Sequence, residues 1–389
     1  MARRVAMVWA AALVSGALVI GSGCAGAPSP SAAAASVTTG SNPSATAVSA
    51  ACTVRAAGMN LKQQAGQLVM VGVTGSLDSR EAAVIKKYRI GSVILMGNYT
   101  GGVSQVKAVT AAVQRAGKNQ VLIATDQEGG LVRRLRGSGF PTLASAATQA
   151  TWSDATLSSK TRKLAKAMAK SGVRLDLAPV ADVVPKANRS KNRPIARLGR
   201  GYGSSPATVS AKVTAFRDGM TSGRVATAVK HFPGLGAVTG NTDFAAKVTD
   251  TTTTANSSLL RPFRDAVADD ADAVMVSSAY YTRIDAKNPA LFSSTVIGLL
   301  RSWGFENVVI SDDLGVAAAV SKVPAKRRAV RFVAAGGDLA ITVTPRLASS
   351  FTSGLVAKAK SSPAFAKKMT QATARVLSLK QSLGLITCG

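Results

Sequence analysis

The chain has 389 residues, 47% of them apolar, and sets 48 Lys and Arg against 19 Asp and Glu, a formal charge of +29 at neutral pH. Its one histidine is His231, its glutamates stand at 81, 128 and 306, and it has three cysteines, so a zinc site of the common His/Cys type is out of reach. No G-x-S-x-G elbow occurs, which removes the α/β-hydrolase arrangement and leaves aspartates as the main carriers of any chemistry.

From the start of the chain, residues 1–23 read as a secretory signal. Arg3 and Arg4 precede an apolar run over residues 5–20, and Gly21, Ser22 and Gly23 lead into Cys24. The run is too short for a span and ends at a cleavage-like site. A cysteine directly after small residues resembles the lipobox of bacterial lipoproteins, which implies lipidation of Cys24 and a place on the outer face of the cytoplasmic membrane. Ordinary secretion is the alternative, and Gly21 departs from the leucine usual at that position. The pattern Gly21-x-Gly23-x-x-Gly26 has no strand before it and is a chance match to a dinucleotide fingerprint. Residues 25–51 contain no charged side chain and cannot bury enough surface to fold, so residues 24–51 are an anchor cysteine and flexible linker. The folded domain is then expected over 52–389. Cys52 opens it and Cys388 nearly closes it, and in an exported chain the two are expected to pair.

Beyond residue 60, short apolar runs alternate with longer amphipathic ones. Strands are expected over 67–73, 91–96, 121–125, 173–177, 226–230, 273–276, 307–310 and 339–343. Helices are expected over 79–87, 103–116, 158–170, 206–221, 256–268, 293–302, 325–335 and 363–383. Eight strands each followed by a helix argue for a parallel α/β architecture, with a single (β/α)8 TIM-type barrel favoured over an open doubly wound sheet. Polar residues recur at strand ends: Asp126 after the third, Asp182 after the fourth, Lys230 and His231 at the fifth, Asp312 and Asp313 after the seventh. In a barrel those positions converge on one mouth.

These residues carry a resemblance. Asp126-Gln127-Glu128-Gly129-Gly130, Lys230-His231-Phe232-Pro233-Gly234 and Ser311-Asp312-Asp313-Leu314 resemble the three signatures of glycoside hydrolase family 3, and its single-barrel β-N-acetylhexosaminidases most of all. Supporting pieces extend from about residue 60 to 345. The resemblance implies retaining cleavage of a terminal β-linked N-acetylhexosamine through a glycosyl-aspartate, with Asp312 as nucleophile. It implies Asp126, Arg134, Arg200, Lys230 and His231 around the sugar hydroxyls, and no metal or organic cofactor. Leu131 replaces an arginine usual in that part of the family. The family branch also takes its acid/base from a histidine on the loop after K-H-F-P-G, paired with an aspartate two places earlier. Here the aspartate position holds Asn241 and the histidine position Asp243, and no other histidine exists. Asp243 is the replacement acid/base, provided its pKa is raised by burial or by Asp312. Glu128 is a second candidate, and a glycan-binding or scaffolding lipoprotein without turnover is the alternative reading.

Removing residues 1–23 takes away two arginines and no acid, leaving +27. Aromatic residues are scarce and no nucleic-acid motif appears, so the expected partners are envelope glycan or peptidoglycan fragments and anionic wall polymers or membrane surface, not nucleic acid, for a chain expected to be a monomer. Two basic clusters stand out: Lys186, Arg189, Lys191, Arg193, Arg197 and Arg200 after the fourth strand, and Lys322, Lys326, Arg327, Arg328 and Arg331 near the ninth tenth of the chain.

Overall fold

The computed structural model describes residues 48–118 and 120–389; the expected signal over 1–23, Cys24 and nearly all of the expected linker lie outside them. Eight strands, β1 (Val69–Thr74), β2 (Ser92–Met96), β3 (Leu122–Thr125), β4 (Leu175–Asp176), β5 (Ala226–Phe232), β6 (Ala273–Val276), β7 (Val308–Ser311) and β8 (Ala340–Thr342), run parallel in sequence order, with β8 beside β1. A bridge between Ile310 and Leu339, with the Ser311 amide donating to Leu339 O at 3.0 Å, brings β7 to β8 and closes the barrel. Val, Ile, Leu and Ala dominate the strands and are buried on both faces, as parallel strands wrapped in helices require. The expected (β/α)8 barrel is the observed fold.

The helices of seven or more residues are α1 (Ala50–Gly58), α2 (Leu61–Gln67), α3 (Ser79–Tyr88), α4 (Gly102–Ala116), α5 (Asp154–Lys170), α6 (Pro206–Ser222), α7 (Arg261–Ala268), α8 (Ser294–Ser302), α9 (Ala325–Ala335), α10 (Ala348–Ser361) and α11 (Pro363–Ser382). Their starts follow local chemistry. Asn60 with Gln63 and Asp78 with Glu81 form capping boxes, and Ser205 and Ser362 cap helices that open on a proline. The helix after β8 is α10, not the 363–383 helix expected from sequence, which is an additional outer element. Ser, Thr and Gly hide α10 from a propensity reading. Its Gly354 is there for packing: a Cβ on it would lie 2.0 Å from Lys326 O on α9. Residue 67, placed in a strand by its apolar neighbours, ends α2 instead.

At the N-terminal end of the barrel, α11 carries the buried Lys380, whose Nζ donates to Gln67 Oε1 at 2.6 Å and Gln120 O at 2.9 Å. Burial, then the Arg55 charge, pushes its pKa down to about 7. The unfolded chain therefore binds the extra proton between that value and the ordinary lysine range, and stability rises with pH across this window. The neutralised variant Lys380→Met is expected to flatten the rise. The difference between the two proteins should be at most on the order of 4 kcal/mol from pH 7 to pH 10, read from denaturant midpoints.

Cys52 on α1 is bonded to Cys388, with Cα atoms 4.9 Å apart and a sequence separation of 336. The bridge sits among Ala56, Ala374, Leu377 and Ile386, where α1 packs on α11. Replacing both cysteines by serine should cost about 2–4 kcal/mol in a denaturant titration. It should leave the opposite end of the barrel, and any activity at 25 °C, unchanged.

Candidate active site

The polar strand ends meet at the C-terminal mouth. Past β3 the chain makes an antiparallel hairpin, Gln127–Gly129 against Val132–Arg133. Its turn demands glycine: Gly129 has φ +103°, and a Cβ there would meet Ala144 O at 2.2 Å. Asp126 and Glu128, two residues apart in extended chain, reach the same cation. Lys230 Nζ lies 2.8 Å from Asp126 Oδ1 and 2.7 Å from Glu128 Oε1. Arg200 grips Glu128 with both prongs, Nε to Oε2 at 2.9 Å and Nη2 to Oε1 at 2.7 Å.

Arg200 Nη2 also stands 3.3 Å from His231 Nε2, while His231 Nδ1 is 2.7 Å from Asp182 Oδ2. A guanidinium can only donate, so Nε2 accepts and the ring proton sits on Nδ1, directed at Asp182. Asp182 Oδ1 takes the amides of His231 and Leu235 at 3.1 and 2.8 Å. The carboxylate thus orients both the imidazole and the loop that follows. Arg134 acts on Asp126 through its charge, and its buried Nε has no protein partner among the described residues.

Burial alone would raise the carboxyls of Glu128 and Asp126, but the neighbouring cations reverse the sign. Arg200 and Lys230 hold Glu128 well below the usual carboxylate range, and Lys230 and Arg134 hold Asp126 below it. Glu128 is therefore a permanent anion and carries no proton to give. Its neutralisation should be costly: Glu128→Gln leaves Arg200 and Lys230 facing each other in a desolvated floor. The expected loss is about 3 kcal/mol of stability, measured by denaturation.

Asp312 follows β7 directly. Its amide donates to Val276 O at 3.0 Å, and its Oδ1 accepts the Asp313 amide at 2.8 Å. Asp313 is the brace of the loop. Its Oδ1 accepts from Gly315 and Val343, both at 3.0 Å, and its Oδ2 from Val316 at 2.7 Å. Arg328 Nη1 secures the far side through Leu314 O at 2.9 Å and Gly315 O at 2.6 Å. Sequence placed Arg328 in a basic run; the structure gives it to this loop.

Asp243 lies on the loop after β5, in a turn where its amide donates to Asn241 Oδ1 at 2.9 Å. Two backbone bonds tie this loop to the one after β7: Ala318 N to Asp243 O at 3.2 Å and Ala319 N to Thr242 O at 3.3 Å. The loop crossing therefore sets Asp243 beside Asp312. Desolvation in the cleft, and then the Asp312 charge, raise the Asp243 carboxyl to about 6, with Arg200 opposing.

The family model described as the glycosyl hydrolase family 3 N terminal domain matches residues 60–379. The chain belongs to glycosyl hydrolase family 3. Its reaction class is hydrolysis of O-glycosyl bonds. The chain is 30% identical over 297 residues to the protein named beta-hexosaminidase LpqI of Mycobacterium tuberculosis, covering 73% of this chain and 74% of that one. It is 32% identical over 292 residues to a beta-hexosaminidase of Xanthomonas oryzae pv. oryzae, covering 72% and 84%. The crystal structure of a beta-N-acetylhexosaminidase from Beutenbergia cavernae superposes with a TM-score of 0.81 at 37% identity, over 83% of this chain and 99% of that one.

Within this family 3 barrel, Asp126, Arg200, Lys230 and His231 form one network with Arg134 beside it, and Asp243 and Asp312 form a second group above. Three participants were underweighted in sequence: Glu128 as the shared anion, Asp182 as the histidine's orienter, and Asp176. Asp176 is fully buried on β4, accepts the Gln127 amide at 2.9 Å and keeps Oδ2 without a partner in the described residues. Burial raises its carboxyl well above the ordinary aspartate value, against the pull of the Gln127 amide and the Lys230 charge. The i, i+2 spacing of Asp126 and Glu128 was the available signal for the first.

Proposed function

We propose that this chain is an exported, lipid-anchored hydrolase that removes a terminal β-linked N-acetylhexosamine, N-acetylglucosamine foremost, from cell-envelope glycan. Asp126, Arg134, Arg200, Lys230 and His231 hold the sugar hydroxyls, with His231 acting chiefly by orienting Arg200. The Asp312 carboxylate attacks the anomeric carbon as the glycosidic bond breaks, and the leaving oxygen takes the proton of Asp243. The glycosyl ester on Asp312 is then opened by a water that gives its proton back to Asp243, releasing the sugar with its anomeric configuration retained.

The observation that carries this reading is the crossing of the two loops, which sets an aspartate with a raised carboxyl beside Asp312. A carboxylic acid near 6 is close enough to neutrality to be protonated in the first step and ionised in the second. The beta-hexosaminidase names of the relatives support the sugar, and the signal-like start and Cys24 support export.

The test is turnover by the full chain of 4-nitrophenyl β-N-acetylglucosaminide beside the β-glucoside. Release from the acetamido sugar, at a kcat/KM at least about tenfold above the glucoside, supports the assignment. Equal rates would remove the N-acetyl specificity. No release from either, with N-acetylglucosamine still bound, would make the protein a glycan binder.

A further inference from the structure

The loop spanning residues 185–200, between β4 and α6, carries Lys186, Arg189, Lys191, Arg193 and Arg197 on its exposed surface. None of the five pairs with a carboxylate among the described residues. No Asp or Glu occurs anywhere between Asp182 and Asp218. The loop is nonetheless rigidly held. The fully buried Asn192 sends its amide to Leu235 O, Gly236 O and Val238 O at 2.7, 3.2 and 2.8 Å, and accepts from Ile195 and Ala196 at 3.1 and 2.8 Å. Asn188 Nδ2 adds Ala237 O at 3.0 Å. Five like charges are thus displayed from a scaffold bolted to the stretch that leads to Asp243.

Such a surface repels itself and has no acid to relieve it, so its charges are open to an anion in solution. The chemistry narrows the anion. Of the loop's two large apolar side chains, Ile195 is buried and Leu198 half-buried, which leaves no exposed apolar anchor to insert into a bilayer. The loop contains no Phe, Trp or Tyr on which bases could stack. Three of the five cations are arginines, whose forked donors fit phosphate oxygens, and a phosphodiester keeps its charge at every pH where the protein is folded.

We propose that this loop is a binding surface for a phosphate-bearing, base-free polymer, lying outside the sugar pocket and alongside the barrel mouth. It would hold the protein on an anionic matrix while the mouth samples its glycan. The surface is independent of turnover, so its failure and that of the hydrolase reading are separable.

The experiment is anisotropy of fluorescently labelled long-chain polyphosphate titrated with the full chain from about 50 to about 300 mM NaCl. Five neutralised phosphates predict a slope of log affinity against log salt of about −3.5, taking the single-strand coefficient. A variant with Lys186, Arg189, Lys191, Arg193 and Arg197 all changed to Gln should bind at least about tenfold more weakly at the low-salt end, with the slope reduced by about 3. Lys322→Gln with Lys326→Gln and Arg327→Gln, neutralising the other cluster, should stay within about threefold of the parent. Should the fivefold variant lose its near-ultraviolet circular dichroism, Arg189→Gln with Arg193→Gln supplies the same comparison at a smaller effect. Unchanged binding in the variants would overturn the proposal. So would polyglutamate binding as tightly as polyphosphate, or phosphatidylglycerol vesicles binding in preference to it.

Discussion

Asp312→Asn should reduce turnover of an activated aryl β-N-acetylglucosaminide by about a thousandfold or more, with KM little changed. The amide is nearly isosteric and keeps an oxygen to accept the Asp313 amide now 2.8 Å from Oδ1, so the loop stays in place. What is lost is the charge and lone pair that attack the anomeric carbon, an interaction realised only as the bond forms. Asp313 cannot take over. Its oxygens are occupied by the amides of Gly315, Val316 and Val343, so it braces the loop. The same substitution should lower the Asp243 pKa, since the Asp312 charge is one of the two leading causes that hold it near 6. Carboxyl NMR titration of Asp243 in both proteins reads that coupling directly, without any turnover.

The second large effect is expected at Asp243, and its size should depend on the leaving group. An aryl oxide departs with little help, so Asp243→Asn should form the glycosyl ester at nearly the parent rate and then stall, because no base activates water. A sugar leaving group needs the proton, and its hydrolysis should fall by about 10²–10³-fold. Azide, which needs no deprotonation, should rescue the stalled ester and give the β-glycosyl azide. In the parent, hydrolysis of the poor substrate should decline as pH rises through about 6, where Asp243 gives up its proton in the free enzyme. The variant should lack that limb. Loss of activity equally on both substrates, with no azide product, would remove Asp243 from proton transfer.

Much of the barrel was legible because its strands are short Val/Ile/Leu runs buried on both faces, and because their lengths leave no room for helices. The strand over 273–276 and the helix over 325–335 match their observed limits. The misses share a cause: tertiary contact outweighing local preference. Gly354 signals a break in sequence, yet it lets α10 approach the Lys326 carbonyl. Gln67 ends a helix whose start is set by the Asn60 box. In the site, residue types were readable but pairings were not. Arg200 and Glu128 are 72 residues apart, and nothing local says that Arg200 is locked on Glu128 before any sugar arrives. The basic loop was visible as charge, while the buried Asn192 that stiffens it looks in sequence like one more loop residue.

The substitution of the usual histidine by Asp243 changes the demands on the loop. A histidine near its ordinary pKa can shuttle protons at neutral pH almost anywhere, whereas an aspartate must be shifted upward to do so. The two backbone bonds from Ala318 and Ala319 hold the loop where that shift arises, against the Asp312 charge. On the proposed mechanism, the acid and the nucleophile therefore act on each other electrostatically.

The most direct measurement is to trap that pair in mid-reaction. The full chain is incubated with a 5-fluoro N-acetylglucosaminyl fluoride, quenched in acid, digested and mapped by mass spectrometry. One added glycosyl group per chain is expected, on the peptide bearing Asp312, with accumulation greatly increased in Asp243→Asn. Turnover without any such adduct, or an adduct on Asp243 or Asp126 with Asp312 bare, would contradict Asp312 as the nucleophile.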